Sequence, residues 1–117
     1  MIPKGSAHYG EIYWVDFDPS VGHEYKNRRP ALIVQSEEEL KKSNVVTVIP
    51  FTSNLQKKKP MDILVHKNHC NHLFTDSILK VQCIMSFDYS RFVRKIGEAD
   101  RELLEAVKKY LKTHFSL

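Results

Sequence analysis

The segment GEIYWVDFDPSVGHEYKNRRP, residues 10–30, constrains the fold of this chain more than any other. Apolar and polar side chains alternate through residues 12–17, the period of a β-strand with one buried face. Asp18 and Pro19 end that strand, because proline removes a ladder donor and pushes the preceding residue out of helical space. Gly22 allows a tight bend, and residues 22–29 crowd charge and aromatic surface into a polar loop. A second strand is expected at 31–34. Polar loops held between apolar strands are where functional groups concentrate.

The rest of the chain continues in short elements. Residues 37–43 predict a short surface helix or turn, acidic first and basic last, the order that suits the helix dipole. The β-branched run 45–49 predicts a buried strand closed by Pro50. Further strands are expected at 61–65, 76–85 and 92–96, the last ended by Gly97, with a polar loop at 66–75. Asp100 is placed to cap a closing helix with Glu102 in its first turn. Leu103, Leu104, Val107, Tyr110 and Leu111 recur at helical spacing and form an apolar stripe for packing. Many short strands with one terminal helix predict a mainly β fold, a small bent barrel.

At 117 residues the chain is expected to be a single domain, with residues 1–9 as an N-terminal extension. No apolar run reaches the ~20 residues a membrane-spanning helix needs, and residues 1–5 lack a signal peptide's apolar core. Two cysteines, Cys70 and Cys83, do not make a secreted disulfide framework. A cytoplasmic protein with no membrane partner is expected. The formal net charge of +4 favours a polyanionic partner. Lys26, Arg28 and Arg29 concentrate that charge in one loop and Lys57, Lys58 and Lys59 in another, where a solvated hairpin tip is an equal reading.

The block G-E-I-Y-W-V-D-F-D-P-S-V-G-H-E followed by R-R-P-A-L-I-V-Q-S resembles the MazF/PemK (Kid) toxins of toxin–antitoxin systems. I-P-F-T-S-N after the third strand, D-S-I-L-K-V-Q later and one C-terminal helix agree with the resemblance, which covers roughly residues 10–117. It implies an SH3-like β-barrel of the CcdB/PemK kind with a C-terminal helix, forming a homodimer. The implied activity is that of an mRNA interferase, an endoribonuclease acting on free or ribosome-bound single-stranded RNA without metal or other cofactor. A cognate antitoxin, with an acidic and partly disordered tail, is the implied protein partner. The CcdB toxins share the architecture and bind DNA gyrase instead, so a gyrase-binding toxin is the rival reading. A catalytically degenerate RNA-binding regulator is the third.

RNA supplies its own nucleophile, the 2′-hydroxyl, so cutting needs a group to take that proton, one to stabilise the phosphorane and one to protonate the 5′-oxygen. A guanidinium suits the middle task as a rigid fork matched to phosphate oxygens. Arg29, set against Pro30 at a strand start, is the candidate the resemblance makes catalytic; from the residues alone a plain pair with Glu24 or Asp16 is the favoured reading. The resemblance also points to a hydroxyl just past the third strand, Thr52 ahead of Ser53, although such hydroxyls commonly cap their own turn. Glu24 matches a family carboxylate and is expected to orient Arg29 or move a proton; His23 departs from the pattern.

RNA contacts are expected from Tyr25, Lys26, Asn27, Arg28, Ser53, Gln56, Lys57 and Lys58, with Tyr25 as the base-stacking aromatic. Gln82 matches a family glutamine in the fifth strand, although Val81 replaces the usual acidic neighbour. Trp14 and Phe17 are expected in the core. The site is expected between the 22–29 and 52–59 loops, near the dimer interface. His66, His69, Cys70 and His72 resemble a zinc cluster, but structural zinc draws ligand pairs from separated segments, so no metal is expected.

Overall fold

The computed structural model describes residues 2–17 and 28–117. Seven strands and two helices make up these residues: β1 (Glu11–Asp16), β2 (Arg28–Ile33), α1 (Glu37–Lys42), β3 (Val45–Thr52), β4 (Ile63–Val65), β5 (Ser77–Leu79), β6 (Met85–Asp88), β7 (Phe92–Glu98) and α2 (Arg101–Phe115). The strands run in the order β4-β5-β3-β2-β1-β7, with β6 added on β3. Every pairing is antiparallel. Among the described residues no helix is long and apolar enough to cross a membrane.

β3 serves two partners along one edge. Val45–Val48 pair with β6, while Phe51 and Thr52 pair with β5. Pro50 therefore does not close the strand but sits inside it, opposite Ala31 of β2. Its carbonyl accepts from Lys80 N–H at 3.0 Å. A residue's N–H and C=O point to the same strand edge, so proline's missing donor falls in the gap where β6 gives way to β5. The expected long strand at 76–85 divides for the same reason. It is β5, a 3₁₀ turn at Val81–Cys83, and then β6.

Side-chain alternation gives the sheet two apolar faces. Tyr13, Val15 and Phe17 pack with Ala31, Ile33, Val46 and Val48 on one. Ile12, Leu32, Ile49 and Phe51 pack on the other, under Leu103 and Val107 of α2. Asp100 caps α2 by accepting from Leu103 N–H at 2.9 Å, and Ser36 caps α1. Asp62, 1% exposed, accepts from Lys80 Nζ at 2.8 Å and Lys59 N–H at 2.8 Å, pinning the start of β4 to the end of β5. A buried carboxylate without such partners would cost several kcal/mol.

The path stays open at its ends, since the described residues of β4 and β7 do not pair with each other. The mainly β fold with a C-terminal helix expected from the sequence is thus present, as a sheet whose seam a loop closes and not as a closed barrel. Glu98 N–H of β7 donates to Cys70 O at 2.9 Å, and His72 Nδ1 lies 2.9 Å from Ile96 O. Gly97 lies within β7 instead of ending it. A Cβ there would stand 2.5 Å from Asn71 O and 2.6 Å from Cys70 O, both backbone atoms. Only glycine permits that approach.

Two predictions follow from these contacts. Gly97→Ala should lower unfolding stability in urea by about 2–3 kcal/mol, the scale of a forced overlap in a packed site; a value within experimental scatter of the parent would mean that the loop does not rest on β7. At the N-terminal segment, His8 Nδ1 lies 3.0 Å from Glu37 Oε1, and Tyr9 N–H donates to Glu37 Oε2 at 2.9 Å. The hydrogen bond to Glu37 raises the His8 pKa above 6.5, and the bonds from His8 and Tyr9 lower that of Glu37. The histidine's contribution is complete below its unfolded pKa of ~6.5 and disappears as pH rises through the folded value; the glutamate's is present above ~4.5 and is lost as pH falls. The clamp is tightest between those limits. An NMR titration of the His8 ring should give a midpoint above 6.5 that falls back in Glu37→Gln, and an unmoved midpoint would refute the clamp.

Candidate active site

The antiparallel register Ala31↔Pro50 sets the start of β2 beside the end of β3, and Thr52↔Ile78 brings the start of β5 to the same place. A cleft of about 570 Å³ opens there. Arg28, Arg29 and Pro30 reach it from β2, Thr52 from the end of β3 with Ser53 just past it, and Trp14 from β1. Leu73, Phe74 and Thr75 of the seam loop form the facing wall. Its described lining carries two guanidinium groups, several hydroxyls and no carboxylate. Such a surface attracts phosphate.

Arg28 and Arg29 are not loop residues, as the sequence suggested, but the first two residues of β2, opposite Asp16 and Val15 of β1. Arg29 is half-buried and Arg28 exposed. With a period of two, Arg29 falls on the side-chain face of Ala31 and Ile33, and Thr52 on that of Val46 and Val48. These four apolar residues belong to one core cluster, so the arginine and the threonine share a face of the sheet. Thr52 Oγ1 accepts from Asn54 N–H at 3.3 Å, the turn-capping role usual for such a hydroxyl, which can accept there and still donate its own proton. Asn54 in turn caps the 3₁₀ turn Leu55–Lys57.

The structure brings Arg28, Arg29, Thr52 and Ser53 together. Gln56, Lys57 and Lys58 stand exposed on the turn beyond Asn54, outside the cleft lining. Gln82 is exposed in the 3₁₀ turn past the far end of β5, not in a strand, and is also outside the lining. Glu24, Tyr25, Lys26 and Asn27, with Gly22 and His23, lie outside the described residues. Phe17 is buried edge-on to Phe87 at 5.0 Å, but Trp14 is not in the core. It shares the face of Ile12, beyond the part that α2 covers, and stays half-buried in the cleft wall. Phe74 went unnoticed in the sequence, where a lone aromatic in a polar loop gives no periodic signal.

The seam loop is organised around Asn71, 2% exposed. Its Oδ1 accepts from Asn68 N–H at 3.0 Å and Leu73 N–H at 3.0 Å, and its Nδ2 donates to His66 O at 2.9 Å. The Lys67 N–H and the His66 ring, the latter 3.0 Å away, hold the Asp76 carboxyl below the usual carboxylate range. His66 and His72 are thus directed to different partners. Among the described residues no three His, Cys, Asp or Glu side chains converge on a cation position.

The described residues thus form a bent antiparallel sheet with a C-terminal helix and an arginine–hydroxyl cleft at the end of its central strands. Residues 8–115 match the family model of the PemK-like, MazF-like toxins of type II toxin–antitoxin systems, and the chain belongs to that family. It is 33% identical over 113 residues to Endoribonuclease MazF9 of Mycobacterium tuberculosis, covering 92% of this chain and 95% of that protein. Endoribonuclease EndoA of Bacillus subtilis is 28% identical over 109 residues, 92% and 93% of the two chains. The crystal structure of MazF from Deinococcus radiodurans superposes with a TM-score of 0.78 at 25% identity, over 95% and 97%. A mycobacterial endoribonuclease solved in complex with its cognate antitoxin shares the fold, with a TM-score of 0.71 at 17% identity over 95% and 94%.

Replacing Asn71 tests what holds the cleft's outer wall. Asn71→Ala leaves two N–H groups and one carbonyl without their partner, at about 1–3 kcal/mol for each buried group left unpaired. Denaturant unfolding should show a loss of at least about 2 kcal/mol, with amide exchange rising first at Leu73. Unchanged exchange at Leu73 would show that Asn71 does not organise the loop.

Proposed function

We propose that this chain is the toxin of a type II toxin–antitoxin system, an endoribonuclease that cuts single-stranded RNA in the cleft between β2, β3 and the seam loop. The observation that carries the reading is that Arg29 and Thr52 both line the cleft, in a described lining without carboxylates. The endoribonuclease names of relatives matching nine-tenths of the chain support it over gyrase binding.

In the reaction proposed, the 2′-oxygen attacks the adjacent phosphorus and the bond to the 5′-oxygen breaks. The products are a 2′,3′-cyclic phosphate and a 5′-hydroxyl. The Arg29 guanidinium donates to the non-bridging oxygens as charge builds on the phosphorane, and the Thr52 hydroxyl donates to one of them. Arg29's backbone is held in a ladder, so little ordering is left to do during the reaction. One proton leaves the 2′-hydroxyl and one must reach the 5′-oxygen; Glu24 is the proposed carboxylate for one transfer or for orienting Arg29. No step requires a metal ion or other cofactor.

Arg28 and Ser53 grip the flanking backbone at the cleft, while Tyr25, Lys26, Asn27, Gln56, Lys57 and Lys58 extend the RNA path beyond it. Gln82, at the other end of β5, is assigned no contact at the cut. The proposed protein partners are a second copy of the chain and an antitoxin whose acidic segment covers the positive cleft, as antitoxin partners a mycobacterial endoribonuclease of the same fold. The proposed compartment is the cytoplasm, where messenger RNA is found.

Purified protein with a long mixed-sequence RNA and excess EDTA should give discrete fragments with cyclic-phosphate ends. Arg29→Ala should slow cutting on the order of 10²–10³-fold, as for loss of one anion-stabilising donor. Arg29→Lys should recover little, since an ammonium cannot make the two-pronged contact. Cutting by Arg29→Ala at the parental rate would remove Arg29 from the mechanism.

A further inference from the structure

A second, smaller cleft of about 210 Å³ lies beside the first. The two share a wall, with Trp14, Pro30, Leu73 and Phe74 lining both. Phe74 stands between them and is 81% exposed, the most exposed aromatic ring among the described core-type residues. It is not a stray surface side chain. Its ring centroid lies 6.1 Å from that of Trp14, tilted by 45°, and the Arg94 Cζ lies 6.0 Å from the Trp14 centroid on β7. Arg94 and His72 complete the far side, and again the described lining has no carboxylate.

We propose that this smaller cleft is a nucleobase subsite, in which the base next to the cut phosphate stacks on the exposed face of Phe74. Arg94, already lying over the indole of Trp14, supplies a donor to the base edge or to its phosphate. The assignment rests on the RNA-cutting reading of the larger cleft. Three features argue for a base over generic apolar packing. The cavity lies below the ~300–1,000 Å³ range of drug-sized ligand pockets and suits one planar ring system. An aromatic face beside a guanidinium is the stacking arrangement used for unpaired bases, which offer a π-face whatever their identity. The shared wall sets the subsite one step from Arg29 and Thr52, as a contiguous strand requires. The seam contacts at Asn71 and Gly97 hold the backbone leading to Phe74, so the ring is presented from a fixed base instead of being ordered on binding.

The chain has a single tryptophan, so Trp14 fluorescence reports on this site directly. The probe is a pool of mixed-sequence 2′-O-methyl oligonucleotides, which lack the attacking hydroxyl; a pool with abasic sugars is the control. The parent protein should show quenching with the first pool and much less with the second. Phe74→Ala should weaken binding of the base-bearing pool roughly 5- to 150-fold, the range for loss of one base–aromatic stack. It should leave abasic binding unchanged, and Phe74→Tyr should restore affinity. With cleavable RNA the same variant should raise KM while kcat stays near the parental value.

Equal affinity of Phe74→Ala and parent for the base-bearing pool would overturn the subsite. So would a parallel loss for both pools, which would mark Phe74 as merely structural. If RNA binding is unchanged but the cognate antitoxin inhibits Phe74→Ala less well, the ring docks protein and the proposal fails. If the parent cuts no unmodified RNA, yet the Phe74-dependent quenching persists, the nuclease reading falls and the base subsite stands.

Discussion

The close approach of the residue 70–71 backbone to Gly97 is the constraint on which the rest of this structure depends. A sheet with seven antiparallel strands and an open hydrogen-bonded path has two ends to cover, and exposed strand ends recruit other chains. Here the loop after β4 covers β7 by giving a carbonyl to Glu98 N–H and a ring nitrogen to the Ile96 carbonyl. His72 adopts a left-handed backbone, φ 54°, to do so. That conformation costs a non-glycine residue roughly 1–2 kcal/mol, a cost comparable with the ~1 kcal/mol of its hydrogen bond. Asn71 then offsets the remainder by pairing three backbone groups of the turn, the Leu73 N–H among them buried. The seam is stable because a glycine on one side and a buried amide on the other make the fit possible.

The same contacts shape the functional surface. With the loop fixed at 70–72, the next residues are carried over the open end of the sheet, where they meet β1, β2 and β3. Trp14 and Pro30 continue the apolar face that α2 buries at Ile12, Leu32, Ile49 and Phe51, but they lie outside the cluster the helix covers. What would have been core becomes the floor and wall of a cleft. Arg28 and Arg29 enter from the adjacent strand start, so apolar wall and positive charge meet at one place. The cleft is what remains of the core where the helix stops.

Much of this arrangement was legible from residue order. Alternation at 12–17, the acid-to-base order at 37–42, the Asp100 cap and the stripe along α2 each appear where local chemistry puts them. Arg29 and Thr52 were singled out through the family resemblance of the R-R-P and P-F-T blocks, since the residues alone favoured an ion pair for the arginine and a turn cap for the threonine. What local reading missed depends on partners distant in sequence. Pro50 reads as a strand end unless β3 is known to change neighbours beside it, and residues 76–85 read as one strand for the same reason. Gln82 was misplaced with that strand. Trp14 reads as core because nothing in β1 reveals how far a helix ninety residues later will extend. Phe74 carries no pattern at all; its meaning comes from Gly97 and Asn71, which deliver it to Trp14.

In the proposed reaction, the division between strand-borne and turn-borne charge decides which groups can act on the reacting phosphate. Arg29 stands in the ladder with β1, opposite Val15, half-buried, with its backbone already ordered. A donor held this way against developing charge contributes about 2.7–4 kcal/mol in other enzymes. Lys57 and Lys58 sit exposed on a short turn, where a paired charge is worth ~0–1 kcal/mol and salt screens it over about 10 Å. They can draw a polyanion toward the cleft but cannot hold a transition state. Raising ionic strength should therefore slow association much more than the cutting of bound RNA, because the group assigned to the phosphorane works inside the cleft while the steering charges work in solvent.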